Sequence, residues 1–157
     1  MAYEKHISMY QSRIGCTLYV LEEEIRCVAN MVVKNPLVVS RMKDSETLRK
    51  KMEIKSTGDI FSIKDVYGVR IIVESVKDAY IVLGKISTIF SGFLKNDFIG
   101  NPKTRPNEPN FEGKMLRLIQ FIAYRNGVPF EIQITTRVFH EMNEPLHERY
   151  HRSKYYK

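Results

Sequence analysis

The chain has 157 residues, a length suited to one compact domain with a single core. With 43% apolar and 27% charged residues it reads as an ordinary globular sequence, and no run of about 18 apolar residues offers a membrane-spanning helix. The net charge of +7 favours anionic partners such as nucleotides or nucleic acid, and says nothing about fold.

The opening Met1-Ala2-Tyr3-Glu4-Lys5-His6 is not an apolar leader, so a cytoplasmic protein is expected. From Tyr3 to Val33, Ile7, Tyr10, Ile14, Leu18, Leu21, Ile25, Val28 and Val32 recur at three- and four-residue steps. This is a helical stripe, with an interruption expected near Gly15. It packs either on the domain's own sheet or against a second copy of the chain. Cys16 and Cys27, placed on one helix, would lie about 16 Å apart, too far for a disulfide, and read as buried structural thiols.

Asn35-Pro36 closes this region and Leu37 to Lys43 reads as a strand. Asp44 caps a short helix from Ser45 to about Ile54, which Gly58 is expected to break. Val66 to Val73 is a second strand. Ser75, with Asp78 three residues on, opens a helix striped by Val76, Ala79, Leu83, Ile86 and Phe90. Pro102, Pro106 and Pro109 mark Gly100 to Pro109 as a loop. Met115 to Tyr124 and Val128 to Thr135 are strands joined at Asn126-Gly127, and Thr136 to about Arg152 is helical despite Pro145. The order predicts an α+β domain around a mixed or antiparallel sheet.

Two carboxylates stand out. Asp65 opens Asp65-Val66-Tyr67-Gly68-Val69-Arg70-Ile71, and Glu131 lies in Phe130-Glu131-Ile132-Gln133-Ile134-Thr135-Thr136. Magnesium needs only one or two carboxylates when substrate phosphates complete its shell. Arg41, Lys43, Arg49, Lys50, Lys51 and Lys55 could neutralise a triphosphate, although such a run is also what a solvated basic face looks like. Alternation puts Glu131, Gln133 and Thr135 on one open polar strand face, either the floor of a site or solvated surface. Asp65 and Arg70 differ in strand parity, so Asp65 precedes the strand or Gly68 marks a bulge. There is no phosphate-binding Gly-rich loop, dinucleotide fingerprint or zinc spacing, and His140, His147 and His151 read as surface groups.

Three blocks carry a resemblance, in order. Ser40-Arg41-Met42-Lys43 with Ser45 or Thr47 and then Lys51, the Asp65–Ile71 block and the Glu131–Thr136 block resemble the synthetase domain of the RelA/SpoT family, the alarmone synthetases. Asn101-Pro102-Lys103 adds a fourth match, and the resemblance runs from about Val38 to Tyr150. It implies a nucleotidyltransferase-like α+β fold with a mixed, mostly antiparallel five-stranded sheet flanked by helices. It also implies transfer of the β,γ-pyrophosphate of ATP to the 3′-hydroxyl of GDP or GTP, the (p)ppGpp synthesis of the stringent response, with Mg2+ as cofactor.

By the same resemblance Arg41 and Arg70 sandwich the adenine, Lys43 and Lys51 bind the ATP phosphates, and Asp65 holds magnesium. Glu131 shares the metal or activates the acceptor hydroxyl, which makes Asp65 and Glu131 the catalytic pair. The acceptor side departs from the family's Asn-Gly-Tyr-x-Ser-x-His. Aligned on Gly113, Lys114 replaces the tyrosine, and Lys103, Phe111, Lys114 and Gln133 form the acceptor set. Thr135 stands where the family has arginine, with Arg137 as a compensating candidate. The resemblance is to the small single-domain synthetases without a hydrolase domain: a helical region over 1–35, a catalytic core over 37–157, and homo-oligomers through the N-terminal helices. Two alternatives stay open. One is transfer to an adenosine nucleotide or a tRNA 3′ end, with His147 to Lys157 as an RNA contact; the other is nucleotide binding without transfer.

Overall fold

The computed structural model describes residues 2–101, 103–104 and 115–142. The N-terminal stripe folds as α1 (Ala2–Ile14) and α2 (Leu18–Val32). They are separated at Gly15, whose φ of 84° suits a residue without a Cβ. Thr17 caps α2 by accepting from the Val20 amide. Ile7, Tyr10, Ile14, Leu21, Ile25 and Val28 are all buried, so the stripe packs on its own sheet. Cys16 lies in the turn between the helices, half-buried, and Cys27 is exposed on α2, so neither is a buried thiol. The expectation failed because the chain turns at Gly15, and because Cys27 falls off the apolar stripe.

Strand β1 (Leu37–Met42) leads into α3 (Ser45–Ile54), whose N-terminus is fixed by Asp44 accepting from the Thr47 amide at 2.8 Å. The helix stops before Gly58: Ser56 takes the left-handed conformation, with φ 52°. A 3-10 turn (Ile60–Ser62) precedes β2 (Tyr67–Val73), and α4 (Val76–Ile89) begins at its Ser75 cap. Its buried residues are Ala79, Val82 and Ile86, while Val76 is exposed.

Beyond α4 the order departs from expectation. Ser91–Asp97 forms β3, a strand with little local signal because five of its seven residues are exposed. Lys103–Thr104 is a short strand, β4, inside the stretch read as a loop; it pairs with β5 (Met115–Leu116) in a separate two-stranded sheet. Residues 102 and 105–109 of that stretch lie outside the described residues. The expected Met115–Tyr124 strand is therefore split, and β6 (Ile119–Arg125) joins β7 (Val128–Thr136) across the Asn126-Gly127 turn. Both turn residues have positive φ, as a tight two-residue hairpin requires. Residues 137–142 are helical; Pro145 and the rest of the expected helix lie outside the described residues.

The main sheet has the order β1-β2-β7-β6-β3, with only β2 and β7 parallel. This is the mixed, mostly antiparallel five-stranded α+β sheet that the resemblance implies. One sheet face (Val69, Ile71, Phe121, Ile132, Ile134) enters the core together with α1, α2 and α4. Tyr10 closes that core: its ring packs edge-on against Tyr67 at 4.7 Å and its hydroxyl donates to the Pro129 carbonyl at 2.6 Å. Asn126 donates to the last carbonyl of α1 at 3.0 Å, and Arg125 pairs with Glu24 on α2. The hairpin tip is thus tied to both N-terminal helices. No helix among the described residues is long and apolar enough to cross a membrane.

Candidate active site

Strand register assembles the site on the second sheet face. Arg41 on β1 is opposite Gly68 on β2, which is opposite Glu131 on β7; the next row is Val39, Arg70 and Gln133. Paired residues leave a sheet on the same side, so β-register alone brings Arg41, Arg70, Glu131 and Gln133 together. Gly68 carries no side chain between Arg41 and Glu131, and the gap is part of a cavity of about 200 Å³. Val39, Ser40, Arg41, Asp65, Arg70, Glu131, Gln133 and His140 are among its walls.

Asp65 lies on the turn before β2, which resolves the parity problem without a bulge at Gly68. Its two oxygens meet Lys43 at 3.0 Å and Lys51 at 2.6 Å. The cap at Asp44 sets the phase of α3, and so carries Lys51 to this carboxylate. Lys43 is buried just past β1, its amide bonded to the Val66 carbonyl at 2.8 Å. Burial by itself pushes the Asp65 carboxyl up, but the ammonium groups of Lys43 and Lys51 outweigh it and hold it well below the usual carboxylate range. Lys43 is pulled down by burial, against the upward pull of Asp65.

Glu131 is the opposite case. Burial and the neighbouring Asp65 charge both raise its carboxyl, and Gln133 only partly offsets them by donating at 2.5 Å. The strand face expected to be open is covered: Glu131 and Thr135 are both buried. Thr135 donates to the Arg117 carbonyl, and the Arg117 guanidinium lies over the Phe139 ring at 4.4 Å. Period two gives the direction of side chains, not what later folds across them. Arg137 does not compensate for Thr135; it donates to the Asn35 carbonyl before β1.

His140, read from sequence as a surface group, is half-buried on the cavity wall. Thr136 accepts from the Phe139 amide and starts the helical turn at the strand's end. That brings His140 Nδ1 to 3.2 Å from Arg70 NH1, while Arg70 Nε donates to Gln133 at 2.8 Å. A threonine cap after β7 was the only local signal of this, and it does not name the partner. Lys103 is described in its backbone alone, as part of β4; Phe111, Lys114, His147 and His151 lie outside the described residues. A larger apolar groove of about 760 Å³ between α1 and α3 is lined by Tyr3, His6, Leu48 and Met52; its Arg49 and Glu53 pair with each other.

No group of three or more acidic, histidine or cysteine side chains suited to a metal occurs among the described residues. The two hard-oxygen donors on one cavity wall, Asp65 and Glu131, fit a magnesium ion that takes its remaining ligands from substrate phosphates and water. Two carboxylates and two arginines line one small cavity, with two lysines held on Asp65, a set of groups chemically suited to a phosphorylated, planar ligand.

Comparison with known proteins supports that class. Residues 40–155 match the family model described as the region found in RelA / SpoT proteins. The chain belongs to the RelA/SpoT family, whose members are pyrophosphokinase-type transferases. Over 106 residues it is 31% identical to the GTP pyrophosphokinase of Haemophilus influenzae, covering 66% of this chain and 13% of that protein. The fold matches the small alarmone synthetase 1 from Bacillus subtilis with a TM-score of 0.69 and 18% identity, covering 97% of this chain and 81% of the other. For small alarmone synthetase 2 from the same organism the TM-score is 0.68 and the identity 21%, over 98% and 82%.

Proposed function

We propose that the protein is a magnesium-dependent pyrophosphokinase that transfers the β,γ-pyrophosphate of ATP to the 3′-hydroxyl of GDP or GTP, making (p)ppGpp. The observation that carries this reading is that one cavity is lined by Asp65, Glu131, Arg41 and Arg70, with Lys43 and Lys51 held on Asp65. Related synthetases support it: the B. subtilis small alarmone synthetase 1 has been solved bound to its product pppGpp and bound to AMPCPP.

In this reading the planes of Arg41 and Arg70 stack on the adenine, and Lys43 and Lys51 meet the phosphates as point charges. With a polyphosphate bound, the two lysines would turn from Asp65 to phosphate oxygens, leaving the carboxylate able to hold the metal. Asp65 and Glu131 would hold magnesium, which when bound would neutralise the charge that builds on the transferred group. Glu131 takes the proton from the acceptor hydroxyl. Gln133 orients it, and Lys103, Phe111 and Lys114 are the residues proposed to contact the acceptor nucleotide.

The test is incubation with ATP labelled at the γ-position, magnesium and GDP or GTP. Labelled guanosine tetra- or pentaphosphate is the expected product. Label on an adenosine nucleotide or on tRNA keeps the donor half and overturns the acceptor. No transfer to any of these overturns the activity.

A further inference from the structure

His140 lines the cavity, yet transfer as proposed gives it no task. Its ring meets Arg70 from the helical turn after β7, while Gln133 meets the same guanidinium from the strand. A guanidinium only donates hydrogen bonds, so His140 accepts at Nδ1 and carries its ring proton on Nε2. Arg70 is therefore gripped at Nε and at NH1 by groups from two different stretches of chain. Two such contacts stop the guanidinium from rotating and fix the tilt of its plane.

We infer that His140 is the positioning residue of the donor-base subsite, holding Arg70 in the one orientation a stacked base can use. The inference rests on the stacking role proposed above for Arg70. A pre-set guanidinium gives up no rotamer freedom when the base arrives, whereas a loose one must be ordered by the ligand. The other charged groups around the cavity are Arg41, Asp65 and Glu131. On the turn itself Arg137 is engaged with the Asn35 carbonyl, and Glu141 is exposed.

The experiment is calorimetric binding of AMPCPP with magnesium, alongside transfer kinetics, for the wild type, His140→Ala, His140→Asn, Arg70→Ala and the Arg70→Ala/His140→Ala double variant. Asparagine keeps an acceptor near the place of Nδ1. His140→Ala is expected to weaken AMPCPP binding and raise the KM for ATP by about three- to ten-fold, with kcat changed less than about two-fold. His140→Asn restores most of the affinity, and adding His140→Ala to Arg70→Ala costs nothing more. Unchanged binding by His140→Ala, a loss that asparagine fails to rescue, or additive losses in the double variant overturns the inference. A wild type that binds AMPCPP but transfers to no acceptor overturns the proposed activity, and the binding cycle alone still decides His140. A wild type that binds no adenine nucleotide overturns both.

Discussion

Glu131 and Asp65 show how two carboxylates on one wall take opposite electrostatic characters. Glu131 is raised by burial and by Asp65, so in the folded state its ionised form is disfavoured. As pH rises from the unfolded value of about 4.3 to the higher folded one, only the unfolded chain loses its proton, and stability falls. Above that window the penalty stays constant. Glu131→Gln removes it and can still accept the amide proton of Gln133. Transfer should be abolished while thermal unfolding rises by about 2–4 °C, roughly the effect of 1 kcal/mol. A lower melting temperature would contradict this account. Asp65 has the reverse sign: held low by Lys43 and Lys51, it stabilises above the unfolded value of about 3.9, and that contribution fades as pH falls below it. Asp65→Asn leaves buried Lys43 without its carboxylate and should cost about 3 kcal/mol in urea unfolding at neutral pH. Lys43→Met leaves Lys51 on Asp65, so its cost should be clearly smaller. Equal costs would show that Asp65 does not neutralise both.

At the scale of elements, two glycines bound what the sheet tolerates. On β3, a Cβ at Gly92 would stand 2.0 Å from the Ile122 carbonyl oxygen of β6, and a backbone atom cannot move aside. Gly92→Ala should pry the edge strand from its partner and cost about 2–3 kcal/mol. A variant as stable as the wild type in denaturant unfolding would refute that contact. At Gly68 the nearest atom to a Cβ is the Arg41 carbonyl oxygen at 3.7 Å, an ordinary contact. Gly68→Val therefore folds with stability unchanged or raised by up to about 1 kcal/mol, because valine suits a strand better than glycine. Its methyl groups would fill the gap between Arg41 and Glu131, so AMPCPP binding should fall more than about ten-fold on loss of the cavity. Unchanged binding would place the ligand elsewhere. The register shift between Leu94 and Asn96 leaves Lys95 at a bulge on this edge, a charge and a kink that discourage pairing with another sheet.

At the scale of the molecule, Arg41, Lys43, Lys51 and Arg70 gather around Asp65 and Glu131 among the described residues. Lys55 is pushed down by partial burial and by the charges of Lys51, Lys64 and Lys95. With the net +7, this field should draw in polyphosphates and be screened by salt. AMPCPP affinity is expected to fall several-fold between roughly 50 and 200 mM salt, over which the screening length shortens by about half. A salt-independent affinity would mean that stacking, not charge, dominates binding.

Much of this was legible in the residues themselves. Local rules placed α1, α2, α3, β1, β2 and the β6–β7 hairpin, because caps, turn glycines and apolar periods act within a few residues. The ordered blocks around Arg41, Asp65 and Glu131 identified the family for the same reason: each block is contiguous. The tertiary structure alone decided what depends on distant partners. It put Asp65 on a turn between two lysines, turned the face of Glu131 and Thr135 into a covered wall, and recruited β3 to an edge that only β6 defines. It also brought His140 to Arg70, 70 residues away in the chain. Periodicity reports where a side chain points; only register and packing determine what it meets.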